Sequence, residues 1–233
     1  AEATTHLAKA VELSPKDATP LFWLATAYEF QEKWPEAATA FGKAAALEPE
    51  NFNALAHWKE ALSRSGKHDE AIALARKTAA AHPDRSDVAI MVATALDDAG
   101  RKDEANAEIK SIAERFPQSA TAQANLGQVY QTQEKLAEAL AQFEKAIALK
   151  PDDWRWCAKL VQLNQALGKP EAAETARRRI LELHAVGKVD QDSFCREQFK
   201  VDGKQVMAFE MLDLSVEDKV RYKFMVLGAD GDI

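Results

Sequence analysis

The 233-residue sequence predicts a mainly α-helical solenoid built from repeated two-helix units. Two ladders of residues share a step of 34 residues along the chain. Proline recurs at Pro15, Pro49, Pro83, Pro117 and Pro151, and alanine recurs at Ala3, Ala37, Ala71, Ala105, Ala139 and Ala173. A constant period of this length indicates units that bury their apolar faces only by stacking on their neighbours.

Each unit carries two amphipathic helical patterns. With every proline set at position 32, full units are predicted at 18–51, 52–85, 86–119, 120–153 and 154–187, and residues 1–17 are predicted as the second helix of a truncated unit. Leu24 and Tyr28, four residues apart, share one helical face. A second face begins at each repeating alanine. Gly66, Gly100 and Gly168 mark the turn between the two helices, and the prolines end the second helix.

This pattern resembles the tetratricopeptide repeat (TPR) family. The family motif has Leu at position 7, a small residue at 8, Tyr at 11, Ala at 20, an aromatic at 24, Ala at 27 and Pro at 32. Unit 18–51 matches it with Leu24, Ala25, Tyr28, Ala37, Phe41, Ala44 and Pro49. The resemblance covers residues 1–187 and implies a right-handed superhelix that is not an enzyme and binds a protein or peptide on its concave face.

Two units depart from the motif. Unit 52–85 has Lys59 at the small position 8 and Ala75 at the aromatic position 24, which predicts looser packing there. Unit 154–187 has Asn164 at position 11 and Arg177 at position 24. These polar residues predict that the last unit faces water.

The period disappears near residue 190, and residues 188–233 carry a β pattern. Apolar and polar residues alternate on both sides of the dipeptide Asp202-Gly203, which is typical of a tight hairpin. A third alternating run over 220–226 predicts a small antiparallel β-meander. A sheet this small needs its apolar face covered, so we expect it to pack on the last helix, 171–185. A second Asp-Gly at 230–231 suggests a segment truncated before a fourth strand.

The resemblance also implies where a partner binds, since positions 2, 5, 6, 9, 12 and 13 of the first helices line the concave face in the family. The candidate residues at these positions are Phe22, Trp23, Thr26, Phe30, His57, Glu60, Arg64, Asp97, Asn125, Gln128, Arg155, Lys159 and Gln162. They predict a groove that is aromatic at its N-terminal end, acidic in the middle and basic in the last unit. In the alternative interpretation, the aromatic rings pack on a preceding helix or on residues 1–15.

Three of these residues match part of a known carboxylate clamp. Family members that bind the acidic C-terminal tails of chaperones place an amide and two cations where this chain has Asn125, Arg155 and Lys159. Such groups balance and hydrogen-bond two carboxylates. The preceding unit has Ile90 and Thr94 where the clamp has Lys and Asn, so only half of it is present.

Composition argues against several other functions. A formal net charge of −7 disfavours nucleic acid as a partner, and no run of residues is apolar enough for membrane insertion. The histidines lie in no metal-ligand spacing, so no cofactor is predicted, and a pairing of Cys195 with His184 is weak evidence for a nucleophile. Two cysteines leave the compartment open, with the cytoplasm favoured and the periplasm as an alternative. Two functional alternatives remain: a scaffold that forms homo-oligomers through the ends of the array, and a targeting or regulatory part of a larger enzyme or complex.

Overall fold

The computed structural model describes residues 2–185, 197–201, 204–212 and 220–226, and these residues are mainly helical. The eleven helices in the described ranges are α1 (Glu2–Leu13), α2 (Ala18–Glu29), α3 (Trp34–Leu47), α4 (Phe52–Arg64), α5 (His68–Ala81), α6 (Ser86–Asp98), α7 (Lys102–Arg115), α8 (Ala120–Thr132), α9 (Leu136–Leu149), α10 (Trp154–Ala166) and α11 (Pro170–Ala185). The mainly helical fold class is therefore confirmed. We call α2, α4, α6, α8 and α10 the first helices and their successors the second helices.

Local sequence signals set the helix ends. The first helices begin at residues 18, 52, 86, 120 and 154, a constant step of 34. Asp17, Asn51 and Ser119 cap three of them, each accepting a hydrogen bond from a backbone N–H of the first turn. Each ladder proline lies two residues beyond the end of a helix. The predicted helix stops are thus confirmed, because proline cannot donate a helical hydrogen bond and disfavours helical geometry at the residue before it.

The turn inside each unit uses one left-handed residue at position 15. Gly66, Gly100 and Gly168 have φ values of 77°, 74° and 68°, which confirms the turns predicted from these glycines. Glu32 and Glu134 take the same position in the other two units with φ values of 55° and 59°. In every case the N–H of the following residue donates to the carbonyl five residues earlier, which closes the end of the first helix. The backbone geometry therefore repeats even where glycine is absent.

The first compact unit, residues 1–116, contains α1 to α7, and each of these helices packs on the next. The ladder residues Ala37, Ala71 and Ala105 are fully buried between paired helices. Ala3 is exposed, and α1 packs mainly on α2. Gly42 shows how closely the helices approach, since a β-carbon at this position would lie 3.0 Å from the Trp58 ring.

The second compact unit, residues 117–233, contains α8 to α11 and the strands. Ala139 and Ala173 are buried, so the alanine ladder continues through this unit. Gly127 occupies position 8, where a β-carbon would lie 3.0 Å from the ring of Phe143. The predicted need for a small residue here is confirmed, because a side chain would collide with the aromatic residue at position 24.

Two expectations about the departures from the motif are corrected. Asn164 is only 4% exposed, and the Arg177 side chain is only 15% exposed and lies beside Glu174. These two polar residues therefore do not give the last unit a surface that faces water, because α10 and α11 pack against each other. Lys59 is also buried, at 7% exposure, so the long side chain fills position 8 of its unit.

Three strands follow the helices in the described ranges: β1 (Glu197–Val201), β2 (Lys204–Leu212) and β3 (Val220–Val226). They pair antiparallel in the order β1-β2-β3. The dipeptides at 202–203 and 230–231 lie outside the described residues. A β-meander as a stable part of this fold, and its packing on the last helix, stay predictions.

Candidate partner-binding faces

One side of α2 carries two large exposed aromatic residues. Trp23 is 55% exposed and Phe30, which caps the C-terminus of the helix, is 77% exposed. Thr26 lies between them, three residues after Trp23, and its hydroxyl donates to the carbonyl oxygen of Phe22 at 2.9 Å. Residues at spacings of three and seven lie on the same side of a helix. We call Trp23, Thr26 and Phe30 the α2 face.

Phe22 is half-buried, packs against the core and supports the Trp23 ring of the α2 face. Its ring meets that of Trp23 edge to face at a centroid distance of 5.8 Å, and it meets the fully buried Phe41 at 5.5 Å. It also packs on Leu21 and Ala18, in the cluster beside α1. The interpretation in which aromatic residues pack inside the protein therefore fits Phe22, whereas Trp23 and Phe30 reach solvent.

His57 links α2 to α4. Its ring stacks on Phe41 at 5.1 Å with planes 16° apart, and its Nδ1 lies 3.2 Å from Oε2 of Glu29. The imidazole edge is thereby held against the carboxylate at the C-terminal end of α2. The ring contacts orient His57 whether or not it carries a proton.

A charged network joins α4 to α6. The Lys59 Nζ lies 3.0 Å from Asp98 Oδ2 and 3.2 Å from Glu60 Oε2, and the Arg64 Nε donates to Glu60 Oε1 at 2.8 Å. Burial opposes ionisation of Glu60, but the hydrogen bonds from Arg64 and Lys59 hold its pKa below the ordinary value. The Arg64 guanidinium also lies over the ring of Trp34, at 5.6 Å. Both cations are therefore matched by carboxylates, Glu60 of their own repeat and Asp98 of the next.

Sequence reasoning missed the role of Lys59. It treated the lysine as a packing defect, whereas the structure makes it the buried centre of this network. A usable signal was present, because an acidic residue at position 13 of the following unit, Asp98, faces the position-8 lysine. Asp97, next to Asp98 at the end of α6, is exposed and makes no ion pair among the described residues.

The second unit presents a more polar face on α8 and α10. Gln128 and Gln162 are exposed, and Asn125 and Lys159 are half-buried. These residues occupy the first helices, as predicted, at positions that share a side of each helix. No large apolar side chain accompanies them at the candidate positions.

Arg155 forms a bidentate ion pair with the buried Asp153. Its Nε and Nη2 donate to the two carboxylate oxygens of Asp153 at 2.9 and 2.6 Å. These hydrogen bonds hold the pKa of Asp153 below its ordinary value, with further help from Lys150 at 3.7 Å. The resemblance implies that the Arg155 guanidinium binds a ligand carboxylate. In the structure this group is already paired with a carboxylate of this chain.

A cavity of about 390 Å³ lies beside α1, between α2 and α3, and was not expected from the sequence. It is lined by Val11, Leu21, Leu24, Tyr28, Pro35, Glu36, Thr39, Ala40 and Lys43. Leu13, at the end of α1, is 75% exposed. The α2 part of the lining comes from positions 4, 7 and 11 of the first full unit. These lining residues could therefore have been identified from their positions in the repeat.

Signs of other chemistry are few in the part of the chain that the structure describes. No group of three or more His, Cys, Asp and Glu residues there is arranged to hold a metal ion. Burial raises the pKa of the Cys157 thiol, which keeps it protonated. The side chains of His184 and Cys195 lie outside the described residues. Among the described helices, none combines the length and the apolar character needed to cross a bilayer.

Comparison with known families identifies the repeat. The tetratricopeptide repeat model matches residues 24–86 and 90–153, which together are more than half of the chain. This chain belongs to the tetratricopeptide repeat family. TPR proteins are in general interaction modules without catalytic activity, and the chain is accordingly a protein–protein interaction module in that general sense. A search of curated proteins finds no significant match.

Solved TPR structures show the same fold. Yeast Tom70 is similar with a TM-score of 0.65 at 19% identity, over 77% of this chain and 39% of Tom70. A crystal structure of MamA is similar with a TM-score of 0.53 at 18% identity, over 70% of this chain and 96% of MamA. The structure of MamA residues 41 to end from Desulfovibrio magneticus RS-1 is similar with a TM-score of 0.51 at 18% identity, over 72% of this chain and 96% of that chain. At these identities the likeness concerns the fold alone.

Proposed function

We propose that this TPR chain recruits a peptide or a segment of a partner protein to the sides of its first helices. The observation that carries the proposal is the contrast within α2: Leu21 and Leu24 are buried, whereas Trp23 and Phe30 are exposed. Large aromatic residues dominate the energetics of protein interfaces when a partner covers them. Phe22 holds the Trp23 ring from below, so part of the binding surface is ordered before a partner arrives.

Site-specific crosslinking tests this proposal. A photoreactive phenylalanine analogue is placed at Phe30 or, as the matched control, at Leu47, which is also exposed but ends the second helix α3. In cells that express the protein, we expect discrete adducts from position 30 and few from position 47. Equal patterns at both positions would contradict binding on the first-helix side.

For the second unit we propose that Asn125, Arg155 and Lys159 receive a carboxylate of the partner. The amide and the two cations support this assignment. Because Asp153 already holds Arg155, a ligand carboxylate would have to share or exchange that guanidinium. If the site binds acidic tails, Lys159→Ala should weaken binding of an acidic C-terminal peptide and flatten its salt dependence, and Lys145→Ala on α9 is the control. An unchanged affinity would remove this part of the proposal.

Self-association is the second candidate function. The cavity beside α1 and the exposed Leu13 at the end of that helix favour it, because another copy can cover exposed apolar surface. Light scattering over a concentration series should then show dimers or larger species, and Leu13→Ser should reduce them. A monomer at all concentrations would leave partner recruitment as the only candidate.

We also propose that the C-terminal segment, residues 188–233, packs on the last helix and offers a second contact surface. The apolar alternation of its strands supports this, since a small sheet needs cover on one face. Removal of residues 188–233 should leave the helical circular dichroism in place and increase binding of a hydrophobic dye. No increase in dye binding would argue against the packing.

A further inference from the structure

We propose that the partner of the α2 face is a basic apolar segment, in which Lys or Arg lies close to aromatic or aliphatic residues. The inference rests on the proposed function and specifies the class of its partner. Two features of the first compact unit carry it: the exposed pair Trp23 and Phe30, and the charge at the C-terminal ends of the first helices beside them.

The apolar part of the partner is required by the α2 face itself. Seven residues separate Trp23 from Phe30, which corresponds to about 10 Å along the helix axis. Both rings are more than half exposed, and the leucines of the same helix are buried. A partner that covers the two rings gains most from apolar side chains placed about this far apart.

The basic part of the partner follows from the ends of α2, α4 and α6. These first helices run in the same direction, because each is joined to its neighbours by second helices and short turns. The C-terminus of a helix carries a partial negative charge. Glu29 and Asp98 end two of these helices, Asp97 precedes Asp98, and Glu60 lies in the last turns of α4. The partial charges of the helix C-termini and the charges of these carboxylates are therefore all negative, and their electrostatic potentials add.

The cations of this region balance Glu60 and Asp98 but not Glu29 and Asp97. Lys59 and Arg64 are held by Glu60 and Asp98 at distances of 2.8 to 3.2 Å. Within the described part of the chain Glu29 pairs with His57, which balances its charge only when the imidazole is protonated. Asp97 has no ion pair among the described residues. A Lys or Arg side chain of the partner can thus pair with Glu29 or Asp97 without displacing a cation of the protein.

An acidic partner is disfavoured for the same reason. Its carboxylates would approach Asp97 and Glu29 at the ends of three helices, where like charges repel. A wholly polar basic partner would leave Trp23 and Phe30 exposed. The combination of the two features selects a segment that is both basic and apolar, and neither feature alone would do so.

Selection from a random linear-peptide library displayed on phage tests the inference with the full chain as bait. We expect the enriched pool to contain Lys or Arg together with aromatic or aliphatic residues. Binding of individual selected peptides should weaken with rising salt, because Asp97 is exposed and Glu29 is partly exposed, so salt screens both carboxylates. Enrichment of acidic or uncharged apolar peptides on the α2 face would overturn the inference and leave the proposed function intact.

Matched variants separate the two features. Trp23→Ser with Phe30→Ser should weaken a selected peptide about tenfold or more, as expected for anchor residues, whereas Leu47→Ser should leave its affinity within about twofold. Glu29→Gln with Asp97→Asn should weaken the same peptide by a similar factor and reduce the salt dependence. Asp103→Asn, an exposed acid on the second helix α7, is the charge control.

Charge reversal provides a second readout that does not depend on one peptide. With Asp97→Lys as bait, the selected pool should lose its basic residues. Thermal unfolding of each variant checks that the fold is kept. If the selected peptides lose affinity when the carboxylates are replaced but not when Trp23 and Phe30 are replaced, the inference is overturned, and charge attraction alone explains the binding. No enrichment by the wild-type chain would overturn the proposed function as well.

Discussion

The buried ammonium group of Lys59 on α4 lies 3.0 Å from a carboxylate oxygen of Asp98 on α6, in the next repeat. A family position that usually takes a small residue thus holds a long cation, and that cation joins two consecutive units. Glu60 accepts from the same ammonium at 3.2 Å. Each unit of a repeat array is stabilised by its neighbours, so this pair couples the folding of two units.

Replacement of Asp98 should therefore lower the free energy of unfolding by more than is usual for a residue at the surface. We expect Asp98→Ala to lower the free energy of unfolding by about 1–2 kcal/mol, because Lys59 stays buried with fewer acceptors. Asp97→Ala, the exposed neighbour, should change it by less than about 0.5 kcal/mol. Urea denaturation measures both. Lys59→Met combined with Asp98→Ala should recover much of the loss, and purely additive effects would contradict the coupling.

Arg155 is expected to have a structural role in addition to any role in binding. Arg155→Ala should destabilise the chain by about 1–2 kcal/mol at neutral pH, since the buried Asp153 loses its bidentate partner. The hydrogen bonds from Arg155 lower the pKa of Asp153, so their stabilisation is present above the ordinary Asp pKa and is lost as pH falls through the folded-state value.

The pH dependence gives the check. Chemical denaturation between pH 7 and pH 2 should show a smaller loss of stability on acidification in Arg155→Ala than in the wild type. Arg101→Ala is the control, because Arg101 forms a similar pair with Glu104 on an exposed surface. Parallel pH curves for Arg155→Ala and the wild type would show that Asp153 does not depend on this arginine.

The contact between Gly127 and Phe143 predicts a strict size limit. A β-carbon at residue 127 would lie 3.0 Å from two atoms of the Phe143 ring and 3.3 Å from the carbonyl oxygen of Ala139. Gly127→Val should destabilise the second unit by about 1–3 kcal/mol through overpacking. Adding Phe143→Ala should restore part of that loss by making room. A rescue that fails would mean that the backbone of α9, and not the ring, limits the space.

The two glutamates with left-handed backbone offer stabilising substitutions. Glu134 has φ 59° at the turn position where Gly100 has φ 74°. Glu134→Gly should stabilise the chain by up to about 1 kcal/mol, because the strain of a side chain in this region exceeds the extra chain entropy of glycine. Gly100→Ala should destabilise it by about 1 kcal/mol. Melting temperatures that move in the opposite directions would contradict this account.

Much of the helical fold could be predicted because its signals are local. The prolines end helices through a missing donor and a steric clash with the preceding residue, and these effects need no partner. The glycine turns follow equally from backbone conformation. Glu32 and Glu134 were not predicted as turn residues, because residue type gave no indication of a positive φ there. Only the repeat frame, which aligns them with Gly66, could have shown it.

The candidate site was predicted less completely. Trp23 and Phe22 are adjacent aromatic residues at candidate positions, but Phe22 is half-buried against the core whereas Trp23 is 55% exposed. Arg155 was predicted to contact a carboxylate of the partner, whereas Asp153, two residues earlier, already accepts two hydrogen bonds from it. In both cases helical position was assigned correctly, but the nearest neighbours in space were not evident from the pattern.

The sequence by itself determined the family, the 34-residue period, the helix ends and the small residues that let paired helices meet, because each of these depends on backbone geometry or on a repeated local pattern. The tertiary structure decided that Phe22 packs against the core while Trp23 is exposed, that Lys59 is enclosed by carboxylates and that Arg155 is paired. The physical reason is that burial and charge pairing depend on which other helix lies against a residue, and packing of the whole unit sets that neighbour.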